Sequence, residues 1–225
     1  MNTIKNALAA VLILMAVFFT LFLSCSHQPE FVQNTGSIAD FMQANKDFYG
    51  VLEINGLLRE PVVRGNDNSY YLSHSFDGAE DRNGCLFVDE AYMEGSMNLV
   101  IYGHNSFNGT AFSDLSKYKN PGFIPDHLRI SLTKKDGTCS DFRIAMILNY
   151  STDDIITCDP YETELPPDHL SRCRKYARYY IDEDIRTDAG SHFLTLSTCD
   201  ETIYGTEGRL VIIAVREDDS DAEEN

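Results

Sequence analysis

The apolar residues of this chain come in short clusters broken by glycine, asparagine and aspartate, and most clusters have the length of a strand. Residues 49–54, 62–64, 69–72, 85–88 and 98–102 read as β-strands on this basis. Residues 127–132 and 141–150 read as two more, flanking Asp136-Gly137, a dipeptide that suits a tight hairpin. Residues 193–197 and 209–215 are apolar almost throughout, as strands buried on both faces are. Three segments carry helical spacing instead. Residues 37–47 put Ile38, Phe41 and Met42 on one face, and residues 110–117 turn Phe112 and Leu115 inward. Residues 165–184 start at Pro166-Pro167 and repeat Leu170, Cys173, Tyr176, Ala177 and Tyr180 at helical intervals. No internal repeat and no βαβ alternation is present. The pattern predicts a mostly antiparallel, closed β-barrel with a few peripheral helices.

One apolar run is of a different kind. Residues 7–23 carry no charge, Lys5 precedes them, and the first charge afterwards is Glu30. The run is about the minimum length for a membrane span. Positive charge on its N-terminal side puts the N-terminus in the cytoplasm and the rest of the chain outside. The reading is an N-terminal transmembrane helix over 1–25, a linker over 26–36, a catalytic domain over 37–216 and an acidic disordered tail over 217–225. A cleaved signal peptide is one rival. A lipoprotein, with Cys25 as the lipid-bearing residue after Phe22-Leu23-Ser24, is another. All three export the domain.

Composition narrows the partners. The chain has 35 acidic and 18 basic residues and a net charge of -17, so no nucleic acid is expected as a partner. A hydrophobic content of 43% is enough for a real core. Six cysteines in an exported chain suggest disulfides, yet their spacing is irregular and forms no CxxC, so no metal site is expected. Cys85 and Cys139 read as small buried hydrophobes. Spacing neither requires nor forbids a Cys158–Cys173 bridge.

The chemistry sits at strand ends. His104 terminates the apolar run Leu99-Val100-Ile101-Tyr102-Gly103, and Cys199 terminates Thr195-Leu196-Ser197-Thr198. Arg209 opens the last strand. Each has a bland reading alone: a turn histidine, an inert thiol, a solvated charge. Together they supply a nucleophile, a proton acceptor and an oxyanion stabiliser. A strand end opening into a loop holds a nucleophile rigidly while leaving it accessible.

Around these residues the chain resembles a class B sortase, a membrane-anchored cysteine transpeptidase of Gram-positive bacteria. The resemblance runs from Asn45 to Arg216. Its most specific parts are Ile101-Tyr102-Gly103-His104-Asn105, Thr195-Leu196-Ser197-Thr198-Cys199 and Gly208-Arg209-Leu210-Val211-Ile212. Asn45-Lys46-Asp47-Phe48-Tyr49-Gly50, Glu60-Pro61-Val62-Val63-Arg64 and Asp67-Asn68-Ser69-Tyr70-Tyr71-Leu72 belong to it too, as does the helical segment 165–184. Two departures are Val51, where the family has Trp after the glycine, and Cys85, where it has a small non-thiol residue.

The resemblance implies a sortase-like β-barrel and a reaction without cofactors. A C-terminal sorting motif on an exported protein is cut after Thr and held as a thioester. The acyl group then passes to a peptidoglycan-precursor or pilin amine. By motif position, Cys199 is the nucleophile, His104 the acid/base and Arg209 the oxyanion stabiliser or peptide orienter. Asn68, Leu72 and Ser197 fall at groove positions. The alternatives are a papain-like cysteine hydrolase, which would place Cys before His and open a helix with it, and a non-catalytic surface module on the same fold.

Overall fold

The computed structural model describes residues 34–106, 110–154, 161–185, 187 and 190–217. The apolar run 7–23, Cys25, Cys158 and residues 218–225 lie outside them. So do the expected anchor, lipid-bearing cysteine and Cys158–Cys173 bridge, and all but the first residue of the expected tail. Among the described residues no helix is long and apolar enough to cross a membrane.

Helix α1 (Ile38–Ala44) starts where the sequence places it. The Ser37 hydroxyl accepts the Asp40 amide at 3.2 Å, and the Asp40 carboxylate accepts the Ser37 amide at 2.9 Å, a reciprocal cap. The helix buries one residue, Phe41, whose ring centroid lies 5.5 Å from those of Phe48 and Phe76. Strands β1 (Phe48–Ile54), β2 (Leu58–Val63), β3 (Leu86–Val88) and β4 (Asn98–Tyr102) follow. A 3-10 helix (Ser113–Lys119) then leads to β5 (Arg129–Lys134) and the long β6 (Cys139–Ser151). Next come α2 (His169–Arg174), β7 (Ala177–Ile181), β8 (Phe193–Cys199), α3 (Glu201–Tyr204) and β9 (Gly208–Arg216).

The sheet runs β5-β1-β2-β3-β4-β8-β9-β6, and β5–β6 pairing closes it into an eight-stranded barrel with β7 on the free side of β6. Closure pairs edges that would otherwise be exposed. Most pairings are antiparallel, but β2–β3 and β4–β8 are parallel. The barrel interior holds Leu52, Ile54, Ile101, Leu194, Leu196, Leu210 and Ile212, among others. A second cluster, Met146, Leu148, Tyr150, Val211 and Ile213 with Cys173 of α2, lies on the other face of β6 and β9. Strand β9 is therefore buried on both faces, which is why its sequence is a continuous apolar run. Truncating Ile212, fully buried, to Ala costs about 2–5 kcal/mol.

Several expectations differ from the structure. Residues 69–72 form a 3-10 helix (Tyr70–Leu72), not a strand, because the Asp67 carboxylate accepts the amides of Ser69 and Tyr70, both at 2.7 Å. This local bonding competes with a ladder. Residues 165–184 are not one helix. Helix α2 ends at Arg174, and β7 pairs with β6 through Ile181↔Met146 and Ala177↔Leu148. Cys139 is exposed at the start of β6 instead of buried, and Cys85 is half-buried. Glu217, expected in the tail, makes an ion pair with Arg129 at 3.0 Å.

Candidate active site

Cys199 ends β8, and Arg209 lies directly opposite it on β9. Directly opposed residues of an antiparallel pair share a face, so the two side chains are neighbours. His104 follows β4, whose Tyr102 lies opposite Ser197 of β8 in parallel register. Three ties hold the β4 end to the β8 end. The Gly103 amide donates to Ser197 O at 3.2 Å, Thr198 Oγ1 donates to Gly103 O at 2.7 Å, and Asn105 Nδ2 donates to Cys199 O at 3.0 Å. Gly103 leaves no room for a side chain: a Cβ would fall 2.4 Å from Leu86 Cδ2 and 2.8 Å from Phe112 Cδ2. That close approach explains the glycine between Tyr102 and His104.

Electrostatics pair the two reactive groups. The Cys199 thiol is held below the ordinary thiol range, first by the neighbouring His104 imidazole and, against burial, by the charges of Arg209 and His104. The His104 imidazole is raised in turn, first by Cys199 and, against burial, by Leu72 O. Opposite shifts of this kind favour a thiolate beside an imidazolium. His104 Nε2 lies 2.8 Å from Leu72 O, and a carbonyl only accepts, so Nε2 carries a proton and Nδ1 is left for Cys199. Arg209 Nη1 donates to Thr206 O at 2.9 Å and Gly208 O at 2.8 Å. Among the described residues no protein acceptor takes its Nε or Nη2.

These groups open onto one cavity of about 370 Å³. All six residues singled out from the sequence line it: Asn68, Leu72, His104, Ser197, Cys199 and Arg209. Sequence reasoning missed Phe87, Tyr102, Thr152 and Tyr161, which also line it. The rings of Phe87 and Tyr102 lie 5.4 Å apart, and those of Tyr102 and Tyr161 6.1 Å apart, an aromatic surface in the same cavity as Cys199. Tyr102 carries the one signal that could have found it, its place two residues before His104. Its hydroxyl donates to buried Asp89 at 2.7 Å, and Asn68 Nδ2 donates to the same carboxylate oxygen at 3.3 Å. Asp89 thereby ties the groove loop to β4. No residue of 165–184 is among the cavity's lining. Within that segment Arg172 pairs with Asp168 and Arg174 with Glu183.

Comparison with known proteins agrees with this architecture. The sortase domain family matches residues 53–217. Sortase B of Listeria monocytogenes is 30% identical over 185 residues, covering 78% of this chain and 72% of that protein. Sortase B of Staphylococcus aureus is 27% identical over 176 residues, covering 76% and 70%. The crystal structure of Clostridium perfringens sortase B superposes with a TM-score of 0.72 at 25% identity, covering 80% of this chain and 99% of that one. The chain belongs to the sortase family, in its class B branch, and is a cysteine transpeptidase. The papain-like hydrolase and the non-catalytic module are not favoured.

Proposed function

We propose that Cys199 attacks the carbonyl of the Thr in a C-terminal sorting motif, with His104 as acid/base and Arg209 at the developing oxyanion. The observation that carries this reading is the meeting of all three on one groove wall, with thiol and imidazole shifted in opposite directions. The thiolate forms the C–S bond, and the tetrahedral oxyanion is met by the free Arg209 donors. The imidazolium then protonates the leaving amide nitrogen, the C–N bond breaks, and a thioester remains. An incoming amine gives up its proton to neutral His104, attacks the thioester, and expels the Cys199 thiolate. Asn68, Leu72 and Ser197 contact the peptide, because they line the groove on either side of the nucleophile.

The acceptor is a peptidoglycan-precursor or pilin amine, and the substrates are exported proteins bearing the motif. Among solved relatives, one from Staphylococcus aureus is a sortase B–substrate complex and one from Streptococcus pyogenes is involved in pilus biogenesis. Residues 7–23, with Lys5 before them, anchor the chain as a single span with the catalytic domain outside.

The test is thioester trapping. The full chain incubated with a Thr-containing sorting peptide should gain the acyl mass on the tryptic peptide carrying Cys199. An added amine such as triglycine should release it as a new amide. Cys199→Ala should show neither, and cleavage by that variant would overturn the assignment.

A further inference from the structure

The residue after the nucleophile is a buried carboxylate, and the mechanism above gives it no task. Asp200 is 2% exposed. Four donors converge on it. Lys119 Nζ reaches Oδ1 at 2.6 Å, Thr202 Oγ1 reaches Oδ1 at 2.6 Å, the Thr202 amide lies at 3.2 Å, and Asn149 Nδ2 reaches Oδ2 at 2.8 Å. No hydrogen bond joins Asp200 to His104, whose Nε2 is held by Leu72 O. Strand alternation also sends Asp200 to the face opposite Cys199. Asp200 is therefore not a relay for the imidazole.

We propose that Lys119 is a positioning residue for the nucleophile, acting through Asp200 to fix the backbone at Cys199 relative to His104. The reading rests on Cys199 being the nucleophile. Lys119 is the last residue of the 3-10 helix that follows the His104 segment, and the His104 carbonyl accepts the Phe112 amide at 2.9 Å just before that helix. The Lys119–Asp200 pair thus joins the chain carrying His104 to the chain carrying Cys199, across 81 residues of sequence. It works beside the Asn105 bond to Cys199 O. The Asp200 backbone is clamped as well. Its amide donates to Gly208 O at 2.9 Å, and a Cβ on Gly208 would fall 2.1 Å from Asp200 O. Burial raises the Asp200 acid, but the bonds from Lys119 and Thr202 and the ammonium charge more than offset it, so it stays ionised. A charged, four-donor anchor one peptide unit from Sγ holds that atom more tightly than strand pairing alone. A displacement of about 1 Å in a reacting group can cost about 100-fold in rate.

The experiment compares Lys119→Met, Lys119→Arg, Asp200→Asn and the Met/Asn double variant as full chains. Three quantities are read: kcat and KM on a sorting peptide, and the iodoacetamide rate at Cys199, followed by mass spectrometry of its peptide. Lys119→Met should lower kcat at least about ten-fold with KM within about two-fold, and it should slow alkylation of Cys199. Lys119→Arg should restore most of the loss. In the Asp200→Asn background, Lys119→Met should add little, because both changes break one link. A raised KM with unchanged kcat would make Lys119 a peptide contact and overturn the proposal. So would additive losses, or wild-type alkylation in Lys119→Met. If the Met variant does not fold, the Arg variant decides: full activity supports the link, and a loss equal to that of Asp200→Asn overturns it. Alkylation needs no peptide, so a wrong sorting motif leaves this test intact.

Discussion

Adding one methyl group at Gly103 should damage both stability and catalysis, the second more than the first. Gly103 joins Tyr102 of the groove to His104, and an alanine Cβ there would sit 2.4 Å from Leu86 Cδ2, 2.8 Å from Phe112 Cδ2 and 3.0 Å from Phe112 Cγ. Leu86 could swing a methyl aside on an open surface, but it is 2% exposed and Phe112 is 0% exposed, so neither has space to move into. Overpacking of this kind costs about 1–3 kcal/mol, and two clashing partners put this case at about 2–3. For a domain of this size each kcal/mol lowers Tm by about 2–4 °C, so the expected drop is about 5–10 °C. The strain is relieved most easily by moving the Gly103 backbone, which carries the bonds to Ser197 and Thr198 and sets where His104 stands. The kcat on a sorting peptide, measured well below both melting temperatures, should then fall by about ten-fold or more. Gly122→Ala serves as the control, since a Cβ there meets only Asn120 Oδ1 at 3.4 Å. Thermal unfolding by circular dichroism gives Tm and peptide cleavage gives kcat. A Gly103→Ala variant within about 1 °C and about two-fold of wild type would refute the packing argument.

Three further outcomes are expected. His104→Ala should move the pH midpoint of Cys199 alkylation upward, because the imidazole that holds the thiol low is lost; an unmoved midpoint would separate the two residues. Glu60 is pushed by burial from 4.5 to about 7, so the stability its carboxyl contributes falls as pH rises from 4.5 through 7. Glu60→Gln lacks that fall, and its urea-derived stability relative to wild type should rise across this window by about 3 kcal/mol at most; a flat difference would place the carboxyl in water. His169 is depressed by burial from 6.5 to about 4, so the stability it lends at neutral pH is lost as pH falls from 6.5 through 4, up to about 3 kcal/mol. The difference between wild type and His169→Leu should shrink over that window, and a constant difference would mean that the imidazole is solvated.

The features legible in the sequence were those decided locally. The apolar runs of β8 and β9, the Asp136-Gly137 hairpin with its positive φ at Gly137, and the Ser37 cap all follow from short-range patterns. His104, Cys199 and Arg209 were legible because each sits beside a strand end, and all three meet in one cavity. The segment 165–184 misled because Leu170, Cys173, Tyr176 and Ala177 keep helical spacing past the end of α2. Pairing with β6 then draws Ala177–Ile181 into a strand, and its tyrosines and isoleucine fit a pleated surface as well as a helix. Asp89 and Asp200 could not be found by pattern. Their partners, Asn68 and Tyr102 for one, Lys119 and Asn149 for the other, are distant in sequence and converge only in the fold.

The parallel pairing of β4 with β8 has a kinetic consequence. Thr198 and Gly103, which that pairing brings into contact, are 95 residues apart along the chain. Closing so long a loop comes at a large entropic cost before any contact rewards it, and folds rich in such contacts form slowly. Hairpins such as β5–β6 form from neighbouring sequence and need no such closure. A chain caught midway through folding can thus hold much of its sheet while Cys199 is still an ordinary, mostly protonated thiol. The neighbours that lower the Cys199 thiol, His104 after β4 and Arg209 on β9, come together only once β4 and β9 have both paired with β8, so a chain without those pairings is chemically quiet at this cysteine.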